Sequence, residues 1–170
     1  MNDIFVSIYK NLWHSKEYLI FCIDSKLVWD PEKDGKEPGY DIFLEFLSDI
    51  VFEIAENKEI AIFRNSRKRV KDKRHLLGKL KKIKSYGQWL FILIGLKKGA
   101  KTSSFSPYYL DLRNAYEYDP EALEYLDTVI YLEIGIIYIE IQSNKLKEDE
   151  LIPIINKIAK QFDYNIIYEN

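Results

Sequence analysis

The chain has 170 residues, 47% hydrophobic, 15% aromatic and 31% charged, with a formal net charge of −2 and Cys22 as its single cysteine. That length suits one domain whose core needs neither disulfide nor metal, and the aromatic content excludes a disordered chain. One cysteine excludes a disulfide framework, no apolar run nears the roughly 18 residues of a membrane span, and Met1-Asn2-Asp3-Ile4-Phe5 lacks a signal-peptide leader, so the expected compartment is the cytoplasm.

Ile4, Val6 and Ile8 alternate with Phe5, Ser7 and Tyr9, which predicts a strand; Glu17 to Ile23 predicts a second, with Asn11 to Lys16 as the turn between them. Asp30 to Gly39, with its prolines, glycines and dense charge, reads as a mobile loop. Phe43, Phe46, Leu47, Ile50, Val51 and Ile54 recur at spacings of three and four and predict a helix from Tyr40 to Ala55, capped by Asp41. On its other side stand Glu45, Asp49 and Glu53. Like charges at that spacing cost roughly 0.2–0.5 kcal/mol per pair unless a tertiary or bound cation offsets them.

Glu59 to Phe63 predicts a short strand. After it, Val70, Leu77, Leu80 and Ile83 form a narrow apolar stripe if the chain is helical from Ser66, with Gly78 against it. Gln88 to Leu96 lacks polar alternation and predicts a central strand buried on both faces. Lys97 to Pro107 reads as a loop, Tyr108 to Leu112 as a strand, and Asp119 to Tyr125 as a short helix with Asp at its cap and Pro120 at its first position.

Asp127 to Ile141 is strongly β-forming, with Gly135 marking a bulge or tight turn. Leu151, Ile154, Ile155, Ile158 and Phe162 predict a last helix over Glu148 to Phe162; Pro153 suits only a first turn and so favours a later start. Asn165 to Tyr168 forms a closing strand. The sum is one α+β domain over residues 1–170. It has a mixed or antiparallel sheet of about five to seven strands, two main helices and the basic segment as a candidate third.

The small net charge hides strong polarisation. Residues 64–84 hold eleven bases against the single acid Asp72, a net +10, so the rest of the chain, with 14 bases and 26 acids, carries −12. Residues 110–150 hold eleven acids against Arg113, Lys145 and Lys147, a net −8. Such asymmetry bears on partners rather than on fold.

Chemical motifs are sparse. His14 and His75 have no Cys, Asp or second His at ligand spacing, so no metal is expected, and Cys22 lies in an apolar run as a core residue would. Gly95-Leu96-Lys97-Lys98-Gly99-Ala100-Lys101-Thr102 resembles a phosphate-cradling P-loop, but Ala100 stands where glycine is needed and Pro107 disfavours the helix that should follow. No cofactor is expected. Asp24-Ser25-Lys26 and Glu56-Asn57-Lys58 fit the acid-x-lysine pattern of metal-dependent nucleases, which would need further carboxylates beside them in space.

Three functional classes follow. The first is a non-catalytic binding protein that occludes a basic, nuclease-like partner such as a toxin. Its acidic, tyrosine-rich surface would comprise Glu117, Tyr118, Asp119, Glu121, Glu124 and Tyr125. Bacterial immunity proteins for toxic nucleases present surfaces of this type, and the resemblance is one of surface character. The second is a nucleic-acid-binding protein that uses Arg67, Lys68, Arg69, Lys71, Lys73 and Arg74. The third is a metal-dependent nuclease around Asp24 and Lys26. None involves a membrane, and an enzyme is the least favoured.

Overall fold

The computed structural model describes residues 2–13, 16–28, 39–64, 66–83, 89–97, 126–133, 136–143 and 145–169. The loop expected before residue 39 and the loop, strand and short helix expected over 98–125 lie outside these. The described residues form one eight-stranded sheet with three helices. The strands are β1 (Asn2–Trp13), β2 (Lys16–Val28), β3 (Ile60–Phe63), β4 (Arg67–Arg69), β5 (Trp89–Ile94), β6 (Thr128–Glu133), β7 (Ile136–Ser143) and β8 (Tyr164–Glu169). The helices are α1 (Tyr40–Ala55), α2 (Lys73–Leu80) and α3 (Glu148–Gln161).

The strand order is β4-β3-β5-β6-β7-β2-β1-β8. All neighbours are antiparallel except β1 and β8, which run parallel, so the sheet is mixed. The sheet has one strand more than the expected five to seven, and two places raise the count. The basic segment contributes a strand of its own, β4. The run from Asp127 folds into the β6–β7 hairpin around the expected break at Gly135. Asn11 to Trp13, expected as turn, instead extend β1 and pair with β2 down to Trp13 opposite Lys16.

Side-chain alternation divides the sheet into two faces. Val6, Phe21, Ile23, Ile62, Ile92, Ile130, Ile139 and Ile141 share one core with the buried stripes of all three helices. Ile20, Ala61, Phe63, Phe91, Leu93 and Val129 form a second cluster on the opposite face. β5 is therefore buried on both sides, as its unbroken apolar run requires. α1 packs on both α2 and α3 across the first face.

Helix ends follow local chemistry. Gly39, at φ 96°, precedes α1 in the left-handed region that favours glycine, and no side chain caps the helix there; Asp41 sits in the first turn, where its charge meets the helix dipole, instead of at the cap. Asp72 caps α2 by accepting the His75 amide at 2.7 Å. α3 starts at Glu148 despite Pro153. Three acids fill its first turn, Glu150 accepts the Lys147 amide at 2.9 Å, and both Pro153 and Asp149, whose carbonyl loses its usual helical donor, are exposed residues.

Tyr164 packs between α1 and the end of α3. Its ring meets Phe46 at 5.1 Å and Phe162 at 5.9 Å, and its hydroxyl is buried without a hydrogen-bond partner among the described residues. Burial, and next the charge of Glu45, push the phenol up to about 12. Between about pH 10 and 12 the unfolded chain has lost this proton and the folded chain keeps it, so stability falls as pH rises through that window and is complete below it. Tyr164→Phe is expected to raise the unfolding free energy at neutral pH by about 1 kcal/mol, because an unpaired buried hydroxyl is removed. It should also lessen the alkaline loss, which Tyr40, raised by burial and Asp41, continues to feed. Urea titrations at neutral pH and at about pH 11 check both.

Candidate functional site

The row Glu45, Asp49 and Glu53 on α1 meets a lysine at each step. Lys81 reaches Glu45 at 3.6 Å, Lys73 pairs with Asp49, and Lys157 reaches Glu53 at 3.0 Å. The repulsion along α1 is thus offset by cations from α2, the turn after it and α3. Two of the eleven bases of the basic segment, Lys73 and Lys81, are consumed here.

The remaining bases take positions set by β4 and α2. The expected helix from Ser66 does not form: β4 pairs with β3, placing Lys68 opposite Ile62 and Arg67 and Arg69 opposite Phe63 and Ala61. Alternation therefore puts Lys68 on the helical face of the sheet and Arg67 and Arg69 on the other, at an edge one strand thick. The turn into α2 is held by the Lys71 amide, which donates to His75 Nδ1 at 3.2 Å, and by burial of Val70, Leu76 and Leu80.

On the helical side these elements enclose a pocket of about 280 Å³. Arg64, Lys68, Lys79 and Lys82 surround it, with Ser66, and its floor is Ile62, Ile83 and Leu90. No acid lines it, and no ion pair joins its four bases to a carboxylate among the described residues. At the end of α2 the carbonyls of Leu77, Lys79 and Leu80 accept the amides of Lys81, Lys82 and Ile83, so these acceptors are not turned toward the pocket unpaired. The arrangement can hold an anion, with an apolar surface beneath it.

Of the six bases singled out from the sequence, Lys68 alone lines this pocket. Arg67 and Arg69 flank it across the strand, Lys71 and Arg74 are exposed, and Lys73 is tied to α1. Arg64, Lys79 and Lys82 complete the site and were not among the six. The signal for them is Asp72, the only acid of the segment and a strong capping residue, which marks a helix starting at Lys73 and leaves Arg67 to Arg69 free to pair as a strand.

Other candidates are dispersed. Glu117, Tyr118, Asp119, Glu121, Glu124 and Tyr125 lie outside the described residues. Of the acids that follow them, Asp127 binds Lys58 at 3.1 Å, Glu140 is buried in the sheet, and Glu148, Asp149 and Glu150 open α3. Asp24 accepts the Lys26 amide at 2.7 Å, the Lys26 ammonium lies 3.9 Å from the Phe5 ring centre, and no group of three metal-ligating side chains exists among the described residues. Gly95, at φ 72°, donates its amide to Glu59 and packs against the Asp127 carboxylate. A side-chain carbon there would come within 2.6 Å of that carboxylate, so glycine is what fits this close packing just after β5.

A polar row within β7 has no counterpart among the sequence motifs. Tyr138, Glu140 and Gln142 alternate with isoleucines and point to the face opposite the helices. The Tyr138 hydroxyl lies 3.0 Å from Glu140 and 3.1 Å from Cys22 Sγ, and Gln142 donates to Glu140. Burial above all raises the Tyr138 phenol, which stays protonated as the donor. An open groove of about 710 Å³ beside the start of α3 is amphoteric: Lys10, Lys145 and Lys147 are matched by Glu17, Glu148 and Asp149.

Compared with known proteins, the chain matches no family model, no curated protein and no solved structure.

The α1 ion pairs make a direct prediction. A double-mutant cycle on Asp49→Asn and Lys73→Gln is expected to give a coupling of about 0.2–1 kcal/mol, as for partly exposed pairs. The coupling should shrink in about 1 M salt, where the screening length falls to roughly 3 Å. Chemical unfolding of the four proteins at low and high salt measures it.

Proposed function

We propose that the protein binds nucleic acid through the edge of its sheet at β4 and the adjoining end of α2. The observation that carries this reading is the convergence of Arg64, Lys68, Lys79 and Lys82 on one pocket with no acid among the described residues that line it. Arg67 and Arg69 extend the same positive surface around the strand. Lys73 and Lys81 are neutralised against α1, which leaves the unpaired charge at the pocket and the β4 edge. Phosphate contacts of this kind give affinity with little sequence preference, since no base-reading motif accompanies them. Occlusion of a basic protein through Glu117, Tyr118, Asp119, Glu121, Glu124 and Tyr125 is the alternative, and it rests on those residues alone.

Fluorescence anisotropy with labelled RNA and DNA, single-stranded and duplex, across a salt series tests the reading. The expected result is binding whose logarithm falls linearly with the logarithm of salt, by about 0.7 to 0.9 per phosphate contacted. Reversing Lys68 and Arg69 to glutamate is expected to weaken it about tenfold or more at low salt. No binding of any of these nucleic acids at low salt would overturn the proposal and return attention to a protein partner.

A further inference from the structure

We infer that the pocket receives a single unpaired nucleotide, its phosphate among Arg64, Lys68, Lys79 and Lys82 and its sugar or base on Ile62, Ile83 and Leu90, so that the ligand is a single strand. This rests on the nucleic-acid reading above and sharpens it. Three observations carry it. The first is size. At about 280 Å³ the pocket lies just below the usual range of ligand sites, about 300 to 1,000 Å³, and it suits one small ligand unit rather than a duplex.

The second is the floor. Ile62, Ile83 and Leu90 are buried apolar side chains inside a ring of bases. A duplex offers its outer surface as phosphate and sugar, and its bases are stacked away from such a floor. An unpaired nucleotide brings an anion and a flat organic group together, which matches a charged rim over an apolar base. Among the described residues that line the pocket there is no aromatic ring, so within this lining the phosphate contacts of the rim carry the binding.

The third is the edge. Lys68 faces the pocket while Arg67 and Arg69 face the opposite side of the same strand. Cations on both sides of an edge one strand thick can all meet the phosphates of one stiff duplex only if the edge enters a groove, and the pocket floor would then lie away from the bases. A flexible single strand can turn over the edge, with one nucleotide in the pocket and its neighbours on Arg67 and Arg69.

Methyl NMR of the wild-type protein, with Ile and Leu methyls labelled, tests the seat without any variant. Titration with a single-stranded oligonucleotide is expected to shift Ile62, Ile83 and Leu90, and adenosine monophosphate at much higher concentration is expected to shift the same methyls. Anisotropy is expected to favour the single strand over a duplex of the same sequence by about tenfold or more. The Lys79→Gln, Lys82→Gln double variant should reduce single-strand affinity and lower the salt slope by up to about 0.7, for the one phosphate seated in the pocket.

If strands bind and these three methyls stay in place, or if duplex and single strand bind equally, the pocket inference falls while the broader nucleic-acid reading stands. If the mononucleotide binds as tightly as the oligonucleotide, the ligand is a free nucleotide and the strand assignment is overturned. If nothing binds, both readings fall together.

Discussion

Like charges four residues apart repel, and α1 carries three such acids on the side away from its sheet contacts. The fold answers by placing Lys81, Lys73 and Lys157 against Glu45, Asp49 and Glu53. Each pair is exposed enough to contribute little stability alone. Their larger effect is one of sorting. They fix α2 and α3 alongside α1, and they withdraw two lysines from the basic segment. What remains positive in that segment is then found at the end of the sheet, around β4 and the pocket under α2.

A competing account of the charges on β4 is protection of the sheet edge. Arg67, Lys68 and Arg69 on a three-residue outer strand are what an edge needs to resist pairing with another sheet. That account covers the strand and stops there. Arg64 follows β3, Lys79 lies on α2 and Lys82 follows it, and none of them guards unpaired backbone. Four cations held around an apolar floor repel one another when the pocket is empty. The buried anchors Val70, Leu76, Leu80 and Ile83 hold them there regardless, and an anion relieves the repulsion. Edge protection and the proposed anion binding are compatible at Lys68, and edge protection alone does not account for the bases around the pocket.

The sequence was most legible where burial imposes a period. The six apolar positions of α1 located that helix to its end residues, and the unbroken run from Trp89 located a strand covered on both faces. It was least legible between Ser66 and Lys84. Arg-Lys-Arg has no apolar alternation, and β4 exists because β3 offers its backbone a partner, which is a tertiary cause. The weak stripe Val70, Leu77, Leu80 and Ile83 was real in its burial of Val70, Leu80 and Ile83, but only its later part is helix. Pro153 misled in the other direction. A proline costs most where its freed carbonyl is buried, and at an exposed position three acids and a good cap suffice to start the helix earlier.

The candidate site was visible as composition and invisible as geometry. Counting bases found the segment, but choosing six neighbours in sequence selected residues that the strand sends to two faces and α1 partly neutralises. The total charge of −2 does not weaken the case for a polyanion. In physiological salt, charges farther than about 8 Å are largely screened, so an approaching phosphate responds to the cations around the pocket and hardly to acids elsewhere. Several of those acids are engaged in place: Asp127 with Lys58, Asp49 with Lys73, Glu140 within the sheet. Among the described residues the bases around the pocket and several engaged acids leave a locally positive surface on a nearly neutral chain, and under the proposed reading that local field, rather than the sum, attracts the polyanion.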